Sequence, residues 1–201
     1  MPRKMPENRL DRIHAAACAA FLKKGYGGTK MEDIAASVGV GRSALYASFP
    51  TKEALFRGLV TNLVEHALPL ERILQGIEAQ TLPEVLGDLI ARLTLAMSKG
   101  AGPVLHRLII AEGAQFPELG RAYRKGVLQP LVTTVEGLLE LGVRRGEFTA
   151  PDTRLAAQHI AGAMIMTVLW PRVFDPRASK AKVLEAANAL AGMLLYGVLK
   201  R

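Results

Sequence analysis

Apolar residues recur every three or four positions along the chain, and the strict two-residue alternation of a β-strand is absent. Ile13, Ala16, Ala17, Ala20 and Phe21 make the first stripe. That spacing gathers them on one helical face, which must be buried. Gly25 ends the stripe, with Lys23 and Lys24 in the last turn, where cations suit the helix dipole. Thr29-Lys30-Met31-Glu32 reads as a capping box, so a second helix should start near Lys30 with Ile34, Ala35 and Val38 inward. Gly39 supplies the left-handed residue that a helix-turn-helix needs. Gly41 can cap a third helix, Arg42 to Ser48. Leu45 and Phe49 face inward on it, and Arg42, Ser43, Ala44 and Ala47 are left outside. Apart from Arg42 these outer residues are small, so the helix can lie close to base edges.

The helical rhythm continues to the C-terminus. Lys52 to about Gln75 predicts a fourth helix, capped by Thr51 and kinked at Pro69. A second capping box, Thr81 to Glu84, opens a fifth that ends near Lys99. Gly102 to about Gln115 forms a sixth. Pro117 to about Arg145 forms a seventh, stopped by Gly146, and Pro130 must kink or split it. Asp152 caps an eighth, to about Val173, and Asp175 or Ser179 opens a ninth. The fold class is all-α, with about nine helices. A three-helix head over residues 1–55 precedes a helical domain over 56–201.

The last two helices are apolar on more than one face. Val183, Ala187, Leu190, Leu194 and Val198 share one stripe, and Leu184, Ala191 and Leu195 widen it. Ile160 to Met166 is apolar almost without interruption. A helix apolar on most sides is buried on most sides. A twofold four-helix interface accounts for this, with Ile160, Ala163, Ala187, Leu190, Ala191, Leu194, Leu195 and Val198 at its centre. The alternative is a helix buried within a monomer.

Composition narrows the class. Half of the 201 residues are apolar, enough for a substantial core in one or two domains. A formal charge of +8 favours a polyanionic partner. The one cysteine, Cys18, permits no internal disulfide and fits a reducing cytoplasm. It reads as a packing thiol, with a redox sensor as the alternative. The N-terminus MPRKMPENR lacks the apolar core of a signal peptide, and no apolar run is long enough to span a bilayer. A cytoplasmic location follows as the expectation.

Residues 25 to 55 resemble the N-terminal signature of TetR-like (AcrR-like) transcriptional regulators. The matching positions are Gly25-Tyr26, Thr29, Asp33-Ile34-Ala35, Gly39-Val40, Leu45-Tyr46, Phe49 and Lys52-Glu53-Ala54-Leu55. The chain departs from the pattern at Gly41, where serine or threonine is usual. It departs again at Ala44 for a threonine and at Ser48 for a second aromatic. Operator preference therefore does not carry over, although the binding mode does. The resemblance implies double-stranded operator DNA as partner, a homodimer through the last helices and a small-molecule effector. It makes Tyr46 and Lys52 the backbone-gripping residues. Thr29 and Lys30 at a helix start, and Arg42, Ser43, Ala44 and Ala47, complete the DNA-facing set. Arg42 can bond a guanine bidentately or contact phosphate.

The segment from Arg107 to Leu119, with Arg121 and Tyr123, resembles the C-terminal domain of an AcrR-like subset. Effector-pocket candidates are Met97, His106, Ile110, Phe116 and Tyr123, with Met164, Val168 and Trp170 from the eighth helix. An apolar residue on a helix is more often plain core, and His106 more often a packed or solvated histidine. Glu112 is a candidate for a polar ligand group, or for pairing with an arginine. His106 has no second ligand at metal-binding spacing, so no metal or cofactor is expected.

An enzyme finds little support. Gly39-Val40-Gly41-Arg42-Ser43-Ala44 imitates a dinucleotide fingerprint, but real ones follow a strand, and helix precedes this one. No metalloprotease, serine-hydrolase or paired-cysteine motif occurs. A nonspecific architectural DNA binder would not need the large apolar domain. The sequence points to a ligand-responsive regulator, most readily a repressor released from its operator by a hydrophobic small molecule. An activator or a redox-responsive regulator of the same fold is the alternative.

Overall fold

A computed structural model describes residues 7–67, 81–149, 152–173 and 180–198. The helices are α1 (Glu7–Gly28), α2 (Met31–Ser37), α3 (Arg42–Ser48), α4 (Lys52–Ala67) and α5 (Leu82–Met97). They continue as α6 (Gly102–Glu112), α7 (Pro117–Tyr123), a π turn (Arg124–Leu128), α8 (Gln129–Arg145), α9 (Thr153–Val173) and α10 (Lys180–Val198). The all-α class is as the periodicity implies. α7, the π turn and α8 together make the anticipated seventh helix. The break falls just before Pro130, which lacks an N–H and whose ring crowds the carbonyl of Gly126. The wider π turn relieves that crowding. Pro69, Asp175 and Ser179 lie outside the described residues.

The chain divides into two compact units, Met1–Leu63 with Gly100–Gly126, and Val64–Lys99 with Val127–Arg201. In the first, α1 packs on α2 and α6, and α2 on α3. Ile13, Phe21, Ile34, Leu45, Leu55, Phe56 and Leu59 are its fully buried centre. Each such side chain contributes about 1.5–3 kcal/mol on burial. Gly58 lets α4 approach closely, since a Cβ there would stand 2.7 Å from the ring of Phe49.

In the second unit α5 is the central rod, packed on α10, α9 and α8. Its residues Leu82, Val85, Leu86, Leu89, Ile90, Leu93 and Met97 are buried. The box between Thr81 and Glu84 forms as the sequence implies, with Thr81 N–H donating to Glu84 at 3.3 Å. Asp152 caps α9 by accepting from Leu155 N–H at 2.8 Å. Gly146 ends α8 in the left-handed conformation, φ 71°.

The stripe on α10 needs correction. Ala187, Leu190 and Ala191 are buried within this unit, as are Ile160, Met164 and Val168 of α9. They are spent on the chain's own core, because α10 lies against α5 and α9. Leu194, Leu195 and Ala163 are half-buried, and the side chain of Val198 lies outside the described residues. The outward apolar face consists instead of Met166, Trp170, Leu184 and Met193, the last 65% exposed. Together with Ala186 and Ala189, most of these line a groove of about 620 Å³ between α9 and α10.

Candidate nucleic-acid interface

The helix-turn-helix is built as its glycines dictate. Gly39 takes φ 67°, and Val40 N–H bonds back to Ala35 at 3.0 Å, which fixes the turn. Gly41 then caps α3 through its carbonyl, accepting from Leu45 N–H at 3.1 Å. Leu45 and Phe49 anchor α3 in the core. Arg42, Ser43 and Ala47 are exposed and Ala44 is half-buried. The anticipated DNA face is thus presented to solvent, narrow and low except for Arg42.

A carboxylate sets the geometry of that face. Glu32 on α2 accepts from the Tyr46 hydroxyl at 3.0 Å and pairs with Arg42 at 3.0 Å, through the same oxygen. The guanidinium also lies over the Tyr46 ring, 5.5 Å from its centroid. Glu32's own backbone N–H and the Tyr46 hydroxyl hold its carboxyl below the usual range, with Arg42 and Lys30 adding to the effect. Arg42 is therefore aligned by α2 while its side chain stays 71% exposed.

Thr29 differs from the sequence reading, and Lys52 has partners that the sequence does not show. Thr29 forms no capping box: its hydroxyl turns inward and donates to Gly25 C=O at 2.6 Å, and the residue is buried. Lys30 takes the N-cap position without a side-chain bond and stays exposed. Lys52 is half-buried. Its ammonium donates to the carbonyls of Tyr26 at 2.5 Å, Thr29 at 3.0 Å and Gly27 at 3.4 Å. It also lies over the Tyr26 ring at 4.5 Å, and partial burial lowers its pKa.

The opposite side of the same turn is held by an acid. Gly25 adopts φ 72°, ψ 173°, a region essentially reserved for glycine. The next two N–H groups, of Tyr26 and Gly27, then donate to the two oxygens of Glu112 at 2.8 and 3.0 Å. Consecutive N–H groups converging on an anion form a nest. A Cβ at Gly25 would stand 2.8 Å from the Glu112 carboxylate, so glycine makes the room. Phe116 closes the site, its ring 5.1 Å from that of Tyr26.

The effector candidates are divided between the two units, and each group is described within its own. Glu112 and Phe116 belong to this turn, because the nest claims the carboxylate and Tyr26 the ring. Ile110 is 68% exposed and Trp170 58%, each on an outward helical face, so neither lines a closed pocket in its own unit. Met97, Met164 and Val168 are fully buried in the second unit. His106 and Tyr123 are buried in the first and hydrogen-bond to each other. Burial pushes His106 down to about 4 and raises the Tyr123 phenol. His106 Nδ1 and the buried Thr94 hydroxyl have no hydrogen-bond partner among the described residues. Thr94 was absent from the sequence candidates. Its only signal is a polar residue inside the apolar stripe of α5, between Leu93 and Met97. Burial raises Cys18 to about 11, which disfavours the reactive thiolate. Among the described residues no acidic, histidine or cysteine cluster could hold a metal, and no helix is long and apolar enough to cross a membrane.

Comparison with known proteins accounts for both halves of the chain. Residues 13–59 match the model for bacterial regulatory proteins of the tetR family. Residues 84–196 match the C-terminal domain of AefR-like transcriptional repressors. The nucleoid occlusion factor SlmA of Aliivibrio fischeri (strain MJ11) is 33% identical over 163 residues, covering 78% of this chain and 80% of that protein. A TetR-family regulator structure from Mesorhizobium loti MAFF303099 is 29% identical with TM-score 0.73, covering 98% of this chain and all (100%) of that one. FadR of Bacillus subtilis, solved in complex with stearoyl-CoA, shares the fold at 23% identity and TM-score 0.71, over 92% of this chain and 97% of its own.

Proposed function

Because the chain belongs to the TetR family of transcriptional regulators, we propose that it is a repressor released from operator DNA by a small molecule. The observation that carries the DNA-binding part is α3: a short helix with a low, solvent-facing surface and one long donor, Arg42, aligned by Glu32 and Tyr46. In this reading α3 enters the major groove, and Ser43, Ala44 and Ala47 allow close approach to base edges. Lys30 and Tyr46 contact the phosphate backbone. Lys52 acts from behind, holding the turn that leads into α2.

Two copies pair through α9 and α10. The outward face of Met166, Trp170, Ala186, Ala189 and Met193 supports this, since an exposed apolar stripe on two adjacent helices favours burial against its twofold copy. The pairing sets the distance between the two α3 helices, hence the half-site spacing.

The effector binds the C-terminal domain. The buried Thr94 hydroxyl, without a hydrogen-bond partner among the described residues, supports a ligand that carries a hydrogen-bonding group as well as apolar surface. Leaving such an atom unmatched costs about 1–3 kcal/mol, which a ligand group would recover. Release then requires the ligand to favour a form in which the heads are wrongly spaced. Selection of duplexes from a random pool, followed by footprinting, tests the first part: a defined protected site is expected, and uniform coating would refute it. Competition of that complex with a panel of apolar and amphipathic compounds, stearoyl-CoA included, tests the second. DNA that stays bound throughout would refute small-molecule release by the classes tested.

A further inference from the structure

Gly25 and Tyr26 belong to the signature, their local purpose is not disclosed by the sequence, and Glu112 shows what their turn holds. The carboxylate ends α6, where the helix dipole disfavours negative charge. Its hydrogen-bond partners in the structure are the Tyr26 and Gly27 N–H groups of the α1–α2 turn. The acid is disfavoured by its own helix, whereas the turn gains two charge-assisted bonds.

We infer that Glu112, although remote from the DNA-facing helices in sequence, is a positioning residue for operator binding. The route is short. Glu112 and Lys52 hold the same turn by its N–H groups and by its carbonyls. Two residues beyond the nest the chain reaches Thr29 and Lys30, the start of α2. α2 packs on α3 and carries Glu32, which aligns Arg42 and Tyr46. Phe116, set edge-to-face against Tyr26, keeps the end of α6 in place. With the nest empty, the turn is restrained from the carbonyl side alone. Lys30 and the α2–α3 pair then lose their fixed register on α1.

This inference rests on the operator-binding reading, and one experiment separates the two. A duplex selected by the wild-type protein is titrated against wild type, Glu112→Gln and Phe116→Leu across a range of salt, at a temperature where melts show all three folded. Glu112→Gln keeps the size and one acceptor but loses the charge and the second carboxylate oxygen. Its affinity should fall about tenfold, the scale of one charge-assisted bond. Its salt slope should drop by about one, because the Lys30 phosphate contact goes with the turn. Amide exchange at Tyr26 and Gly27 should quicken, while the buried amides of α5 stay protected. Phe116→Leu should move affinity and slope the same way by less, and it stands in if Glu112→Gln does not fold. Lower affinity with an unchanged salt slope would mean a merely structural role and would overturn the inference. So would a Glu112→Gln protein that binds as tightly as wild type. A wild-type protein that retains no duplex would overturn the operator reading itself, and this inference with it.

Discussion

Replacing Lys52 with methionine separates a phosphate grip from a turn-holding role. Its ammonium makes two well-placed bonds, to Tyr26 and Thr29 carbonyls, and a long one of 3.4 Å to Gly27. Hydrogen bonds to charged groups contribute about 1.5–3 kcal/mol, and a cation–π contact adds about 0.5–1 kcal/mol at an exposed site. The residue is half-buried, so water screens the charge and rehydrates the carbonyls once the ammonium is gone. Methionine also keeps the aliphatic packing. A net loss of about 2 kcal/mol follows from these terms. For a chain of this size each kcal/mol moves Tm by about 2–4 °C, so the melt should fall by about 4–8 °C. Circular dichroism melts of wild type and Lys52→Met without DNA measure it. Operator affinity falls under either account, so the melt is decisive. An unchanged Tm would mean that the carbonyl contacts contribute nothing, and Lys52 would return to the phosphate-contacting set.

Arg42→Ala, tested by operator selection, should lose preference at one base position, by about 1–3 kcal/mol, if the guanidinium leaves Glu32 for a guanine. A uniform loss across sequences would assign it to phosphate instead. Met193→Glu and Trp170→Glu should give folded monomers by sedimentation, since both residues face outward. Ala187→Glu should prevent folding, because it strands a charge in the core beside α5; two folded dimers from the first pair would place the interface elsewhere. His106 has its folded pKa lowered to about 4 from 6.5. The unfolded chain therefore binds the extra proton first. Its contribution is whole above pH 6.5 and is lost as pH falls towards 4, on the order of 3 kcal/mol in all. His106→Gln should flatten urea-derived stability over that interval, and an unchanged slope would show that His106 titrates normally.

The head was legible because its signals are local. Gly39 and Gly41 fix a turn whatever lies elsewhere, and the spacing of Leu45 and Phe49 orients α3. Thr29 misled because its hydroxyl can accept from an N–H that opens α2 or donate to a carbonyl behind it, and here it donates to Gly25 C=O. At Lys52 the sequence shows a cation but not its neighbours, because only the folded path of α1 brings three carbonyls beneath it. On α10 the periodicity announced two apolar faces without saying which one meets α5. Ala187 and Ala191 turned in, and Met193 turned out. Glu112 was unreadable as a head residue, since an acid ending an apolar helix looks like solvent exposure or a ligand contact. Its partners are two backbone N–H groups, which leave no trace in the sequence beyond the glycines that clear their space.

The bond between Glu112 and Tyr26 spans 86 residues. At about 5–20 residues per second, a ribosome adds that stretch in roughly 4–17 s. Throughout this interval the nest faces water, and the α1–α2 turn emerges without its acid. The head of a nascent chain is thus completed by a segment translated well after it. The same dependence limits modular exchange. A chimera carrying only residues 1–63 transplants the glycine cradle without its occupant. It would inherit the recognition helix, but its register would be set by whatever the recipient's sixth helix presents in place of Glu112.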